Sequence, residues 1–259
     1  MNIKQVTGIY FSPTGHSKKA VRAIVSRIGG NTGYVDLTGP GRRPDYHFHE
    51  NEVAVVGVPV YGGRLPETAV ERLQKLHGNQ TPVVLVVTYG NRDYDDALLE
   101  LKEVLVARGF RPLSAAAVVA EHNIAPCFAA GRPDGADGKK LRRFADQTAR
   151  KLREVSSNYA LGELSVKGKH PYKEFHGARL KIRVSSSCSN CGACIRKCPV
   201  QAISRTDSRV MDEERCISCM RCIYVCPSHS RSISRLMLLA VKHKLKKECS
   251  GRKEPEFIL

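Results

Sequence analysis

The chain has 259 residues, enough for one moderate domain and a small one, and 42% hydrophobic residues supply a core. A formal charge of +17, no tryptophan and only 6% aromatic residues leave a basic surface with few stacking platforms. With no helix-turn-helix, zinc-finger or aromatic RNA-binding signature, this argues against nucleic acid and for an acidic protein partner. No apolar run approaches the roughly 20 residues that span a bilayer, and the first ten residues lack an apolar h-region and a cleavage site. The expectation is a cytoplasmic protein without a transmembrane segment.

Strand and helix signals alternate over residues 1–155, the pattern of βαβ units on a mainly parallel sheet. Residues 6–11 read as a strand, 18–28 as a helix and 34–37 as a short strand. Residues 53–58, a continuous apolar run, read as a strand buried on both faces. A helix follows over 66–76 with Pro66 in its first turn, then a buried strand at 83–87. A helix at 94–108 and a strand at 114–120 lead to a helix at 139–155, where Leu141, Phe144, Ala145, Thr148, Leu152 and Val155 recur at helical spacing.

Between the first strand and its helix lies Ser12-Pro13-Thr14-Gly15-His16-Ser17. Hydroxyls, a glycine and a helix N-terminus together make a phosphate cradle. The loop lacks the Gly-Lys-Ser/Thr ending of an ATP loop and the GxGxxG dinucleotide fingerprint, so a monophosphate fits it best; taken alone, it is also an ordinary strand–helix turn. It resembles the phosphate loop of flavodoxins, from whose more usual Gly and Asn it departs at Pro13 and His16. Two later segments, Pro59-Val60-Tyr61-Gly62-Gly63-Arg64-Leu65-Pro66 and Thr88-Tyr89-Gly90-Asn91-Arg92-Asp93-Tyr94-Asp95-Asp96-Ala97, resemble the flavodoxin loops beside the flavin ring. The resemblance implies a flavodoxin-like, doubly wound, five-stranded parallel sheet that binds FMN. It places Ser12, Thr14, Gly15, His16 and Ser17 at the phosphate. Around the ring it places Pro59, Val60, Tyr61, Gly62, Gly63, Tyr89, Gly90, Asn91, Tyr94 and Asp96, with the three tyrosines offering aromatic faces. For any one of those tyrosines, plain packing or surface decoration is the lesser alternative to ring contact. Glu121-His122-Asn123 follow the last strand on the same edge, either shaping the pocket or forming a solvated loop.

Residues 156–181 form a linker, turn-rich over 170–177, and a strand is expected at 180–184. Two identically spaced runs follow: Cys188-x2-Cys191-x2-Cys194-x3-Cys198-Pro199 and Cys216-x2-Cys219-x2-Cys222-x3-Cys226-Pro227, each cysteine 28 residues from its counterpart. Three thiolates at this interval wrap one face of a cubane, and in two-cluster arrangements the fourth cysteine of each run ligates the other cluster. Cys188, Cys191, Cys194 and Cys226 are thereby assigned to one [4Fe–4S] cluster, and Cys216, Cys219, Cys222 and Cys198 to a second. Structural zinc has no use for the third cysteine of each run, and disulfide scaffolds are small and secreted. The runs resemble bacterial two-cluster ferredoxins over residues 182–234, which implies a small α+β unit. The chain as a whole resembles flavodoxin–ferredoxin fusions. The second run departs from the ferredoxin pattern after its proline, reading Ser228-His229-Ser230-Arg231-Ser232-Ile233. Cys127 and Cys249 stand outside the runs as unligated thiols.

Residues 235–259 read as a basic helix and tail. The helix is expected over 232–247, packed on the ferredoxin unit through Ile233, Leu236, Leu239, Ala240 and His243, with Lys242, Lys246 and Lys247 in solvent; docking to a membrane surface or partner is the alternative. No catalytic dyad or triad stands at diagnostic spacing, and no oligomeric state is implied. The parts together predict an intracellular oxidoreductase that passes electrons between two [4Fe–4S] clusters and FMN, joining one-electron carriers to an acceptor that the flavin reduces, protein or small molecule. The alternative is an electron-carrier or docking subunit with a non-functional flavin pocket.

Overall fold

A computed structural model of the chain describes residues 3–175, 177–178 and 180–259. The expected connector therefore falls partly on His176, outside the described residues, as does Arg179 at the end of the linker. The elements run β1 (Gln5–Tyr10), α1 (His16–Ile28), β2 (Asn31–Asp36), β3 (Tyr46–Phe48), β4 (Glu52–Pro59), α2 (Glu67–Leu73), β5 (Leu76–Gly78), β6 (Thr81–Tyr89), α3 (Ala97–Val106), β7 (Phe110–Val119) and α4 (Gly135–Glu154). A second series follows: β8 (Ile182–Val184), α5 (Ala193–Lys197), α6 (Arg221–Tyr224), β9 (Arg231–Ile233), α7 (Arg235–Leu245) and β10 (Glu256–Ile258).

The main sheet has the order β10-β7-β6-β4-β1-β2. Its first five strands in chain order pair in parallel and take the 2-1-3-4-5 arrangement of the flavodoxin-like doubly wound fold. All nine residues of β6 are buried, as its continuous apolar run demands of a strand covered on both faces. Successive side chains point to opposite faces, and the core divides accordingly. Val53, Val55, Val84 and Val86 meet Val21, Ile24, Leu141 and Phe144 of α1 and α4. Ala54, Val56, Leu85 and Val87 meet Leu73, Leu98 and Leu101 of α2 and α3. α1 lies so close to the sheet that a Cβ on Gly57 would stand 2.3 Å from a Val21 methyl.

The five expected strands are present, and a sixth joins them. β10 pairs antiparallel with β7, with Phe257 opposite Ala116, and the Phe257 ring stacks on Phe144 at 4.9 Å. Three short-range effects shift the helix boundaries. α3 starts at Ala97 because the Asp93 carboxylate accepts the amides of Tyr94 and Asp95 in a turn. α4 starts at Gly135 because Asp134 and Asp137 form a capping box. α7 starts at Arg235 because the Ser234 hydroxyl accepts the Met237 amide, leaving Ser232 to β9. The helix expected over 66–76 ends at Leu73, and Leu76–Gly78 instead forms a small parallel sheet with Tyr46–Phe48.

The cysteine-rich unit shows its duplication in the backbone. Asn190 and Ser218 both have positive φ, as do Gly192 and Met220, and Gln201 and His229; the members of each pair stand 28 positions apart. Left-handed backbone is costly for ordinary side chains, so its recurrence in register marks a shared fold of the two runs. β8 and β9 close this unit as an antiparallel pair.

The tail from Cys249 onward is fixed to the first unit by buried polar groups. Arg132, 4% exposed, bonds to Asp137, 0% exposed, and also donates to the Lys253 carbonyl. Replacing Arg132 with Leu leaves a fully buried carboxylate with only the half-exposed Arg252, 3.3 Å away, as a cation. The expected loss is about 3 kcal/mol or more, measured as a shift in the urea unfolding curve of the full chain; a loss below about 1 kcal/mol contradicts this account of the tail.

Candidate functional site

The loop after β1 is organised by hydroxyl groups. The Ser12 amide donates to Thr38 Oγ1 at 2.7 Å, and the Ser12 hydroxyl accepts the Lys18 amide at 3.0 Å. Ser17 Oγ lies 2.7 Å from Thr88 Oγ1, which joins the loop to the end of β6. Gly15 has φ +90° with open space beside it, a conformation that glycine supplies without strain. His16 Nε2 is buried with no partner, and burial holds its imidazole below the ordinary value. An orphaned buried polar atom in a loop at a helix N-terminus fits a site for a phosphate-sized anion.

A cleft lined by Ser12, Thr14, His16, Ser17, Pro59, Tyr61, Tyr89 and Gly90 opens from this loop. Val60, Tyr61, Gly62, Tyr89, Gly90 and Asn123 continue into a cavity of about 450 Å³, within the usual size range of small-molecule sites. Its far wall is formed by Ile217 and Ser218 of the cysteine-rich unit, by Leu180 just before it, and by Val241, Lys244, Leu245 and Glu248 at the end of α7. Tyr89 is 4% exposed and burial pushes its hydroxyl up to about 12. Burial also holds the Tyr61 hydroxyl well above its usual range, the nearby Cys219 adds to this, and a hydrogen bond with Asn123 opposes it.

Three of the residues expected around a flavin ring are engaged elsewhere. Tyr94 is 1% exposed and donates to Glu256 at 2.6 Å, so its ring is core and presents no face to a ligand. The Asn91 side chain donates to the carbonyls of Cys249 and Gly251 at 2.8 and 2.9 Å, clamping the tail. Asp96 accepts the amides of Lys169 and Lys173 at 3.0 and 2.7 Å, clamping the linker. The sequence reading missed Phe175, whose ring lies where a Cβ on Gly62 would come within 2.1 Å. It also missed Thr38 and Arg221, whose only sequence signal is a hydroxyl after a strand and a cation inside a cysteine run. Gly63 is buried, with the Asp95 carboxylate 2.0 Å from where its Cβ would stand.

The eight run cysteines divide into two environments. Cys194 and Cys198 lie in an apolar cluster with Ala202 and Ile203, against which Cys216 and Cys222 pack. Burial raises Cys216, pushes Cys219 up to about 12 and Cys222 up to about 11, and the charge of Cys198 acts on all three. Thiols held protonated by burial lose their protons when a metal takes their place. Ala202 also donates its amide to Cys198 Sγ at 3.3 Å. On the other side, Cys226 Sγ lies 3.2 Å from Ser230 Oγ and 3.6 Å from Ser228 Oγ. Burial opposes these bonds, yet they bring its thiol down to about 7. A backbone bond from Asn190 and then the Ser208 hydroxyl lower Cys188, and Ser230 reaches it as well. Cys191 is exposed. No three His, Cys, Asp or Glu side chains among the described residues gather as ligands of a single ion, whereas a cubane is held by one thiolate at each iron.

The family of 4Fe-4S dicluster domains matches residues 187–230. Ferredoxin-2 of Chlorobaculum tepidum is 42% identical over 52 residues, 17% of this chain and 84% of that protein. Ferredoxin-3 of the same organism is 36% identical over 56 residues, 19% of this chain and 90% of that protein. Among solved structures, a flavodoxin of Streptococcus pneumonia TIGR4 is similar over 57% of this chain and 99% of its own, at 18% identity and a TM-score of 0.41. A flavodoxin from the domain Archaea is similar over 58% and 99%, at 15% identity and a TM-score of 0.38. No helix among the described residues is long and apolar enough to cross a membrane.

His122, whose Nδ1 accepts the amides of Ile124 and Ala125, is pulled down to about 4 by burial. In the unfolded chain it titrates near 6.5, so there it binds its proton first as the pH falls. Its share of stability is complete above about pH 6.5 and is lost as pH falls towards 4, on the order of 1–2 kcal/mol between pH 7 and pH 5. His122→Asn keeps an acceptor without the titration. Parallel urea midpoints across that window are expected to fall less in the variant, and identical slopes refute the assignment.

Proposed function

The chain belongs to the ferredoxins of the 4Fe-4S dicluster kind through its cysteine-rich unit, and on that footing we propose that it is an electron-transfer flavoprotein. In this reading Cys188, Cys191, Cys194 and Cys226 hold one [4Fe–4S] cluster, and Cys198, Cys216, Cys219 and Cys222 hold a second. The cleft at the carboxyl edge of the sheet takes FMN. When bound, FMN exchanges electrons both singly and in pairs, so it links one-electron clusters to a two-electron acceptor. The observation that carries the proposal is the shared cavity wall: Tyr61 and Tyr89 face Ile217 and Ser218, which stand between Cys216 and Cys219.

The chain's own residues then have separate tasks. Ser12, Thr14, Ser17 and the amides around Gly15 hold the phosphate, with His16 as a further polar contact. Tyr61 and Tyr89 shape the ring site, and Val241 and Leu245 of α7 close it from above and exclude water. Ile217 and Met220 keep the second thiol set dry. The hydroxyls of Ser208, Ser228 and Ser230 bond to the sulfurs of the first set, a contact that tunes reduction potential. Cluster thiolates must stay reduced to assemble, which favours the cytoplasm, and the basic surface steers an acidic electron carrier towards the clusters. Residues 1–155 act as the flavin unit and 182–234 as the cluster unit.

The test uses the full chain, reconstituted anaerobically with iron, sulfide and FMN and reduced with a one-electron donor under stopped flow. Flavin bleaching is expected to follow cluster bleaching, and Cys222→Ser is expected to slow it at least about tenfold, with FMN supplied in excess so that the flavin site is filled in both proteins. A flavin that bleaches equally fast in cluster-free protein, or a chain that takes up clusters and no FMN, leaves only a carrier or docking subunit.

A further inference from the structure

Residues 28 positions apart in the two cysteine runs share backbone conformations, and α5 and α6 begin at equivalent positions, Ala193 and Arg221. A small residue serves the first run, while the second carries a long cation, so wrapping thiolates does not require the cation. Arg221 crosses to the other unit. Its Nη1 donates to the carbonyls of Ser12 and Pro13 at 3.3 and 3.1 Å, and its Nε is buried with no partner. In the loop that it reaches, His16 Nε2 is likewise buried and unpartnered. Buried polar atoms left unpaired are costly and uncommon; one lies in this loop and the other on the side chain that reaches it, and an anion held between them would meet both. Arginine suits this position because its planar fork matches phosphate oxygens.

We propose that Arg221 is a phosphate-binding residue of the flavin site, supplied by the cluster unit, and that it couples cluster loading to FMN affinity. This rests on the FMN reading above. Arg221 stands between Cys219 and Cys222, two thiols of the second set. A cluster that fixes those thiols fixes the α6 turn and aims the guanidinium at the loop; without it, the turn loses that restraint and the phosphate loses its cation. Binding free energies are reciprocal, so FMN must tighten cluster retention by the factor by which the cluster tightens FMN.

The experiment titrates FMN, and in parallel riboflavin, which lacks the phosphate, into anaerobic full-length protein, following flavin fluorescence and measuring iron content. Arg221→Gln is expected to weaken FMN about 10- to 100-fold, with Arg221→Lys between the two, while riboflavin affinity changes less than about threefold. Iron content should match wild type, and FMN should slow iron loss to a chelator in wild type but not in Arg221→Gln. Unchanged FMN affinity in Arg221→Gln overturns the inference alone. Equal weakening of FMN and riboflavin also overturns it, because Arg221 is then only a tie between the units. Wild-type protein that takes up neither flavin sinks the FMN reading itself.

Discussion

β10 pairs with β7, and by that pairing the last residues of the chain are built into the first sheet. Units joined by a linker ordinarily move relative to one another. Here the chain leaves the sheet after α4, forms the cysteine-rich unit and α7, and returns, so that unit is anchored at both ends. Side contacts then fix its face: Ile217 packs on the core of the first unit, Arg72 donates to the Pro199 carbonyl at 2.6 Å, and Tyr224 donates to Glu121 at 3.0 Å. Each contact is modest. Together they set the second cysteine run against the carboxyl edge, where a doubly wound sheet places its ligand. The site is thus a property of the closed chain, with walls from both units.

The same closure separates two chemical environments. The second thiol set lies among Ile203, Ile217 and Met220 on the side facing the cavity. In the first set Cys188 and Cys226 lie beside serine hydroxyls and Cys191 is exposed, while Cys194 is buried in the apolar cluster. Hydrogen bonds to sulfur and access of water both move reduction potentials, so a cluster at one position would differ in potential from a cluster at the other. The outer set includes the exposed Cys191. The inner set faces Tyr61.

Much of this was legible in the sequence. The apolar runs named the parallel strands, and cysteine spacing named the ferredoxin-like unit, because periodicity and motif spacing are local and strict. The errors arose where distant segments decide the outcome. Tyr94 looked like a ring contact, but Glu256, far along the chain, captures its hydroxyl. Asn91 and Asp96 belong to the expected loops, yet they hold the tail and the linker. The apolar stripe of α7 was expected to pack, whereas Leu236 is 80% and Leu239 63% exposed; the helix instead docks through Val241 and Leu245 because its end must deliver Cys249 into the fold beneath Asn91. β10 escaped notice because three residues carry no period, and only the bare alanine edge of β7 makes a strand of them. Arg221 is hidden among cysteines in the sequence, and only the fold carries its guanidinium to the Ser12 and Pro13 carbonyls of the other unit.

The most direct measurement of the central claim, that one closed chain sets cluster thiolates against a flavin cleft, is anomalous diffraction at the iron edge from anaerobic crystals grown with FMN. The account predicts iron density at both thiol sets, the inner one behind Ile217, and flavin density between Tyr61 and Tyr89 with its phosphate at Ser12–Ser17. Zinc in place of iron, or a cysteine-rich unit lifted away from an empty cleft, contradicts it.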